Sequence, residues 1–217
     1  MISNFIYQSK KIKQAEVFLL KISDNLNQIE QSILPKEQTN DILSYKFKND
    51  RDKRLLARCF LYTYLRCRYG IENFKLSHNS YGKPFLINYK DIDFSISYSE
   101  EYILVGISSG YQIGIDIEYV DININHKDLI KSIMHNDEIK CYNQLVMDNE
   151  KLNFFFEVFN KKEAIIKSFG MGLYYDVTKI NILNLSMSIG EKIFLESITF
   201  EEICSNYKST LVLKGRN

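Results

Sequence analysis

The chain has 217 residues, of which 45% are hydrophobic and 25% are charged, a composition typical of a globular protein rather than a disordered or fibrous one. Its 28 lysines and arginines stand against 27 aspartates and glutamates, and the formal net charge of +1 provides no overall field for holding a nucleic acid. The first residues lack the apolar run of a signal peptide, and no later run reaches the length of a membrane span. We therefore expect a cytosolic protein that binds neither nucleic acid nor membrane.

The first half of the chain predicts one long helix among short strands. Residues 13–22 carry an apolar run of strand length, although a run this short is also compatible with a buried helix. Residues 49–68 begin with an Asn-Asp pair and place apolar residues at helical spacing up to a glycine, which predicts a helix. The Tyr-Gly-Lys-Pro segment at 81–84 predicts a turn, and the apolar runs at 85–87 and 94–97 predict a hairpin after it.

The second half repeats this mixture of elements. Strands are predicted from runs of β-branched and aromatic residues at 102–107, 113–118, 179–185, 192–200 and 209–213. A helical pattern returns after Asn125 and is strongest over 151–169, before Gly170. This order of elements predicts an α+β fold, with a helix packed on antiparallel sheet in each half.

A pair of carboxylates in the predicted strand 113–118 is the first candidate for chemistry. Asp116 and Glu118 are two residues apart, so they project from the same face of the strand. Alternation of this kind is also typical of a half-exposed strand that turns polar residues to water. The alternative is a cation site, because Mg²⁺ prefers oxygen ligands and is commonly held by one or two carboxylates together with substrate phosphates.

A third carboxylate, Glu163, falls within an apolar row of the predicted helix. The row contains Leu152, Phe155, Phe156, Phe159 and Ile166. A buried carboxylate must be neutralised, paired or bound to a metal, since its burial alone costs several kcal/mol. A meeting of Glu163 with Asp116 and Glu118 over Mg²⁺ would satisfy this requirement. A salt bridge to Lys167, one turn further on, is the simpler alternative.

Several cations lie near these features and are suited to phosphate groups. They are Lys162 and Lys167 beside Glu163, Lys83 in the predicted turn, and Arg51, Arg54 and Arg58 along one side of the first helix. Lysine offers a mobile point charge and arginine a planar fork of donors, both of which bind phosphate. The arginine row is equally compatible with a solvated basic face.

Three segments carry motifs in a recognisable order. They are Gly114-Ile115-Asp116-Ile117-Glu118; Phe159-Asn160-Lys161-Lys162-Glu163-Ala164-Ile165-Ile166-Lys167 with Gly170-Met171-Gly172-Leu173; and Tyr81-Gly82-Lys83-Pro84 with Phe94-Ser95-Ile96-Ser97-Tyr98-Ser99. Together they resemble the motifs of the 4′-phosphopantetheinyl transferases of the surfactin-synthetase-activating type, which include G-K-P, F-N-x-S-H-S and W-x-x-K-E-A-x-x-K followed by G-x-G-L. The resemblance spans nearly the whole chain, and about forty residues separate the acidic strand from the Lys-Glu-Ala helix, as in that family.

The resemblance implies both a fold and an activity. The implied fold is an α+β intramolecular pseudodimer of two similar halves, which we divide into residues 1–108, on the nucleotide side of coenzyme A, and 109–217, on the Mg²⁺ and catalytic side. The implied activity is transfer of 4′-phosphopantetheine from coenzyme A to a serine of an apo acyl or peptidyl carrier protein, with release of adenosine 3′,5′-bisphosphate. A monomeric enzyme is implied as well.

The resemblance also implies roles for individual residues. Asp116, Glu118 and Glu163 would hold Mg²⁺ on the pyrophosphate of coenzyme A, and Glu163 would act as, or position, the base for the serine hydroxyl. Lys167 would contact phosphate and assist the departing nucleotide. Coenzyme A would further be bound by Lys83, Arg54, Ser97, Tyr98 and Lys162.

Two departures from the family motifs leave other functions to consider. Tyr98 replaces a histidine and Phe159 replaces a tryptophan. Because a phenol carries no positive charge near neutral pH, we expect weaker binding of coenzyme A than with histidine, without loss of activity. The competing functions are a Mg²⁺-dependent phosphohydrolase of a nucleotide and a non-catalytic partner of a synthetase that only binds coenzyme A.

Overall fold

The computed structural model describes residues 2–72, 74–172, 175–185, 192–203 and 206–216. Within these ranges the α-helices are α1 (Ile22–Asn25), α2 (Lys36–Leu43), α3 (Lys48–Tyr69), α4 (Ile130–Ile133), α5 (Asn136–Gln144) and α6 (Asp148–Phe169). The strands are β1 (Gln8–Ile12), β2 (Ala15–Lys21), β3 (Leu76–His78), β4 (Pro84–Leu86), β5 (Ile92–Ser99), β6 (Tyr102–Ser109), β7 (Tyr111–Tyr119), β8 (Ile193–Ser197) and β9 (Tyr207–Gly215). The fold is therefore α+β, as the sequence predicts.

Two antiparallel sheets are built to the same plan. The first has the order β1-β2-β6-β5 and the second has the order β7-β9-β8. In each sheet, the strand that precedes the long helix pairs with the second strand of the later hairpin. The long helices α3 and α6 have 22 residues each, and each ends at a glycine in the left-handed region, Gly70 or Gly170, both with φ 66°.

The two sheets pack face to face, with the long helices on the outer faces. Apolar side chains of β2, including Val17 and Leu19, meet Ile115 and Ile117 of β7 in one buried cluster. Gly106 in β6 makes this packing possible, because a Cβ there would lie 2.8 Å from the Ile115 side chain. The order of layers is thus α3, first sheet, second sheet, α6.

Side chains of β5 join the two sheets along the free edge of β7. Alternate residues of β5 accept hydrogen bonds from backbone N–H groups of β7, pairing Asp93 with Ile113, Ser95 with Ile115, Ser97 with Ile117 and Ser99 with Tyr119. Because buried backbone N–H groups require partners, this side-chain ladder satisfies an edge beside which the described ranges contain no further strand.

Most predicted elements are confirmed, and two are wrong. The structure contains the predicted helices α3 and α6, and β2 is the strand at 13–22. The apolar runs at 85–87 and 94–97 do not form a hairpin, since β4 pairs with β3 and β5 pairs with β6. Residues 179–185 contain no strand. The division of the chain at 108/109 falls at the end of β6 and stays a prediction. No helix in the described ranges could span a bilayer.

Candidate active site

Strand β7 turns Gly114, Asp116 and Glu118 towards α6, and the helix passes very close to it. A Cβ at Gly114 would lie only 1.9 Å from the backbone oxygen of Ala164 and 2.4 Å from the backbone nitrogen of Ser168. The first residue of the Gly-Ile-Asp-Ile-Glu motif is therefore the point where helix and sheet touch. Glycine at this position lets α6 bring its polar side chains down onto the carboxylates of β7.

The Asp116 carboxylate is the centre of a buried polar network. It is only 1% exposed, and its Oδ1 accepts hydrogen bonds from Ser97 Oγ at 2.8 Å and from Lys167 Nζ at 2.5 Å. Its Oδ2 accepts one from Asn160 Nδ2 at 2.8 Å. Lys167 Nζ also lies 3.0 Å from Ser97 Oγ, so the side chains from β5, β7 and α6 all contact one another. Because the buried charge is paired with Lys167 and accepts hydrogen bonds at both oxygens, its burial is tolerated.

Glu118 and Glu163 share this environment electrostatically. Burial, with Asp116 and Glu163 nearby, raises the pKa of Glu118 to about 8, although Lys167 acts in the opposite direction. Burial and Asp116 likewise raise the pKa of Glu163, again opposed by Lys167. Asp116, Glu118 and Glu163 therefore influence one another electrostatically, and their meeting over a metal ion stays a prediction. The salt bridge of Lys167 is made to Asp116 rather than to Glu163.

The donor set has the chemistry of a site for a hard divalent cation. The Lys167 ammonium group acts on all three carboxylates, and carboxylate oxygens are the ligands that Mg²⁺ prefers. Among the described residues, no three His, Cys, Asp or Glu side chains are gathered closely enough to hold a metal ion. The residues therefore fit the cation by donor type, although the structure does not draw three of them together around one point.

Two neighbouring residues of β5, Ser97 and Tyr98, face opposite sides of their strand. Ser97 points to Asp116, so it belongs with the carboxylate cluster of Asp116, Glu118 and Glu163 rather than with a separate site for the nucleotide of coenzyme A. Tyr98 packs against the hydrophobic core of the first half and lines a cleft there. The carboxylate cluster and the cleft therefore adjoin through consecutive residues.

The cleft of the first half has a volume of about 980 Å³ and contains unpaired arginine donors. Arg54 lies over the rings of Tyr45 and Tyr98, with its guanidinium carbon 4.2 and 5.3 Å from the two ring centres. Buried nitrogens of Arg54 (Nε) and Arg58 (Nη1) have no hydrogen-bond partner among the described residues. Burial lowers the pKa of Arg58 and raises that of Tyr98, whose shift both arginines oppose. Unsatisfied guanidinium donors in a cleft suit an anionic ligand.

Two lysines expected to bind coenzyme A are engaged elsewhere. Lys162 is 1% exposed, and its ammonium group contacts Glu138 at 2.7 Å and the backbone oxygens of Ile133 and Val177. All three of its donors are used inside the protein, so its position disagrees with a role in binding a phosphate. Lys83 donates to Asp93 at 2.7 Å and to the Ile113 oxygen at 2.9 Å, and it is absent from the described lining of the cleft.

Sequence reasoning missed two residues of the site, Asn160 and Thr210. Asn160 is 1% exposed and joins Asp116 to Thr210, whose hydroxyl donates to Asn160 Oδ1 at 2.6 Å. The only local signal was an amide in a largely apolar helix, three residues before Glu163 and therefore near the same helix face. Thr210 gave no signal. Leu173, the last residue of the Gly-x-Gly-Leu motif, lies outside the described residues.

Comparisons with known proteins bear on the same region. Residues 112–212, which include the carboxylates and α6, match the family model described as the 4′-phosphopantetheinyl transferase superfamily. A 4′-phosphopantetheinyl transferase (gsp) of Aneurinibacillus migulanus is 32% identical over 149 residues, covering 67% of this chain and 60% of the relative. The 4′-phosphopantetheinyl transferase Sfp of Bacillus subtilis is 26% identical over 157 residues, covering 70% of this chain and 67% of the relative.

A more distant relative and a solved structure complete the comparison. An L-aminoadipate-semialdehyde dehydrogenase-phosphopantetheinyl transferase of Xenopus laevis is 25% identical over 190 residues and covers 77% of this chain and 63% of its own length. The holo-ACP-synthase from Plasmodium yoelii is 22% identical, covers 49% of this chain and 95% of its own, and has a TM-score of 0.34. The chain spans about 60% of the length of the Aneurinibacillus relative.

Proposed function

We propose, on the premise that residues 112–212 belong to the 4′-phosphopantetheinyl transferase superfamily, that this protein transfers 4′-phosphopantetheine from coenzyme A to a serine of an apo carrier protein. Adenosine 3′,5′-bisphosphate is the other product. We further propose that the working form is a cytosolic monomer, since residues of both halves, such as Ser97 and Asp116, already meet within one chain.

The observation that carries this proposal is the adjacency of two unlike sites across β5. On one side, Ser97 joins the carboxylate cluster, which suits a metal-bound pyrophosphate. On the other, Tyr98 lines the cleft in which Arg54 and Arg58 have unpaired donors, which suits a nucleotide phosphate. Coenzyme A carries its nucleotide phosphate and its pyrophosphate on one molecule, and a ligand of that kind can occupy both sides at once.

The reaction forms one phosphorus–oxygen bond and breaks another. The serine oxygen of the carrier bonds to the pantetheine-bearing phosphorus, and the bond from this phosphorus to the oxygen of the nucleotide phosphate breaks. The proton of the serine hydroxyl passes to Glu163, whose pKa is raised by burial and by Asp116, so that its carboxylate is a stronger base than that of an exposed glutamate. The Lys167 ammonium group balances the charge on the departing phosphate. Asp116, Glu118 and Glu163 would hold Mg²⁺, which supplies charge neutralisation at the pyrophosphate.

The arginines of the cleft bear on the absence of a histidine at position 98. Arg54 and Arg58 both act on the Tyr98 phenol electrostatically, so positive charge is already present beside it. We infer that these arginines supply the charge that a histidine would contribute, and that Tyr98 stacks with Arg54 and donates one hydrogen bond. The weaker binding of coenzyme A expected from the sequence stays a prediction.

The proposal is tested by intact-mass spectrometry of apo acyl and apo peptidyl carrier proteins incubated with the protein, coenzyme A and Mg²⁺. We expect the carrier to gain one phosphopantetheinyl group, and Glu163→Ala to lower the rate by about 100-fold or more. Glu157→Ala is the matched control, because Glu157 lies on the same helix, pairs with Lys161 and is half-exposed. It should retain the wild-type rate.

The other outcomes separate the competing functions. Breakdown of coenzyme A without any change in carrier mass would identify a phosphohydrolase that uses water as the acceptor. Intact coenzyme A together with unmodified carriers of both types would favour a binding partner without catalytic activity. Equal rates for Glu163→Ala and Glu157→Ala would contradict the role given to Glu163.

A further inference from the structure

Two buried, neutral side chains form a row of hydrogen bonds that ends at Asp116, on the side of its carboxylate away from Lys167. Thr210 Oγ1 donates to Asn160 Oδ1 at 2.6 Å, and Asn160 Nδ2 donates to Asp116 Oδ2 at 2.8 Å. All three residues are 1% exposed. None of the motifs that point to the activity includes Thr210.

The hydrogen bonds from Thr210 through Asn160 to Asp116 can run in only one chemically consistent direction. An ionised carboxylate can only accept hydrogen bonds, so the amide nitrogen of Asn160, not its oxygen, must face Asp116. The amide oxygen then faces Thr210, whose hydroxyl must donate to it. The threonine thereby opposes rotation of the amide, and the amide in turn opposes rotation of the carboxylate.

Three different elements set this geometry, and each contributes one residue. Asp116 of β7 and Thr210 of β9 are directly paired across the sheet, on the face that α6 covers. The Asn160 side chain extends from α6 and contacts both of these residues. Asn160 lies one helical turn before Ala164, where the helix touches Gly114. The contact of helix and strand at Gly114 therefore brings the Asn160 amide within reach of both partners.

We propose that Asn160 and Thr210 are positioning residues, which fix the orientation of the Asp116 carboxylate so that it can bind a divalent cation. This inference rests on the proposed function, in which Asp116 is one of the metal-holding carboxylates. Ser97 and Lys167 occupy Oδ1, and Asn160 occupies one side of Oδ2, so the remaining lone pair of Oδ2 has a defined direction. Groups that orient a metal-binding carboxylate in this way typically change metal affinity by about 10- to 100-fold when they are removed.

The test measures binding of Mg²⁺ and Mn²⁺ to the full chain by calorimetry, without carrier protein. We expect Asn160→Ala to weaken metal binding and so to raise the dissociation constant by about 10- to 100-fold. Thr210→Val, which keeps the shape but removes the donor, should weaken it by a smaller factor, and Thr210→Ser should restore wild-type affinity because the hydroxyl is retained.

The matched control is Ser209→Ala, on the same strand but on its other face. Ser209 is buried and donates to the backbone oxygen of Ile198, so the variant loses a comparable hydrogen bond without touching Asp116. Its metal affinity should equal that of wild type even if its melting temperature falls. Thermal unfolding of every variant is measured in parallel to confirm that each is folded.

The outcomes distinguish this inference from the proposed function. Wild-type affinity in Thr210→Val and Asn160→Ala, with metal binding intact in the wild-type chain, overturns the positioning role and leaves the function standing. Equal losses in Ser209→Ala and Thr210→Val overturn it as well, since the effect would then be one of general stability. A wild-type chain that binds neither metal overturns the inference together with the metal-dependent part of the proposed function, whereas carrier modification tests the transfer itself.

Discussion

At the scale of single residues, Glu118 is the carboxylate whose protonation the site alters most clearly. Its side chain is half-buried next to Asp116, which Lys167 already pairs. Burial, together with the charge of Asp116, makes ionisation of Glu118 costly in the absence of a cation, so its pKa rises from 4.5 to about 8. The folded state thus keeps a proton that the unfolded chain would release.

This proton makes stability depend on pH in a defined direction. Below pH 4.5 both states hold the proton, and between 4.5 and about 8 only the folded state holds it, so the free energy of unfolding falls as pH rises across this window. In EDTA, we expect Glu118→Gln to remove roughly 2 kcal/mol of this decline. Urea unfolding at pH 5, 6.5 and 8 measures the free energy of unfolding of each protein, with Glu157→Gln as the control. If this free energy fell by the same amount with pH in wild type and Glu118→Gln, the shifted pKa would be refuted.

The site residues that could be predicted are those tied to local pattern or motif. Asp116 and Glu118 share a face because strand side chains alternate, and Glu163 was conspicuous as a charge in an apolar row. Asn160 and Thr210 were missed because their roles depend on the pairing of β7 with β9, which joins residues far apart in sequence. Lys162 illustrates the opposite error, for its motif position suggested a phosphate, whereas Glu138 is its actual partner.

At the scale of elements, the contact of α6 with β7 depends on Gly114. Any side chain there would collide with backbone atoms of the helix, because a Cβ would lie 1.9 Å from the Ala164 oxygen. Backbone cannot swing aside as a flexible side chain can, so the helix as a whole would have to move. Asn160 and Lys167 would move with it.

We expect Gly114→Ala to lower the free energy of unfolding by about 3 kcal/mol and to abolish most carrier modification. Urea denaturation and the mass-spectrometric assay measure the two effects. Gly215→Ala is the control, since that glycine lies in β9 with nothing within 4 Å of its would-be Cβ. Near-wild-type stability and activity in Gly114→Ala would show that α6 does not depend on this close approach.

Element types were easier to predict than element partners. The long helices were evident from spacing and from the glycines that end them, and both are present. The supposed hairpin of 85–87 with 94–97 failed because strand pairing is decided by the whole sheet, in which β5 joins β6. The apolar run at 179–185 has strand composition, but no strand in the described part of the chain pairs with it, and its first residue belongs to a short 3₁₀ turn at Val177–Lys179.

At the scale of the whole molecule, the side-chain ladder between β5 and β7 joins the two sheets in addition to their apolar packing. Ser95 accepts from the Ile115 N–H at 3.2 Å, and Ser99 accepts from the Tyr119 N–H at 2.8 Å. Removing either hydroxyl leaves a backbone donor without its partner. The cost of such an unsatisfied group exceeds the net value of an ordinary hydrogen bond.

We expect Ser95→Ala to lower the free energy of unfolding by about 1 to 3 kcal/mol and Ser99→Ala by somewhat less, because Ser99 lies nearer the end of the ladder. Urea denaturation measures both. Ser80→Ala, at an exposed serine in the turn before β4, is the control and should change little. Equal stability of Ser95→Ala and Ser80→Ala would mean that the ladder does not hold the halves together.

The repeated plan of the molecule could be anticipated from the family resemblance but not from the residues themselves. The order β2-β6-β5 of the first sheet recurs as β7-β9-β8 in the second, and each sheet carries a helix of 22 residues, yet corresponding faces carry unrelated side chains. Where β7 offers Gly114 to α6, the face of β2 that meets α3 carries Phe18, packed on Phe60 and Tyr64. A repeat of topology with so little repeat of side chains is invisible to inspection of the sequence.

That aromatic cluster bears on which substitutions the two halves tolerate. Phe18, Phe60 and Tyr64 fill the space between β2 and α3 with aromatic rings, whereas the space between β7 and α6 holds the paired charges of Asp116 and Lys167. Volume can be filled by many combinations of apolar side chains, but an ion pair and a backbone contact at Gly114 cannot be replaced in this way. The contact of α3 with β2 therefore accepts volume-conserving exchanges that the contact of α6 with β7 does not.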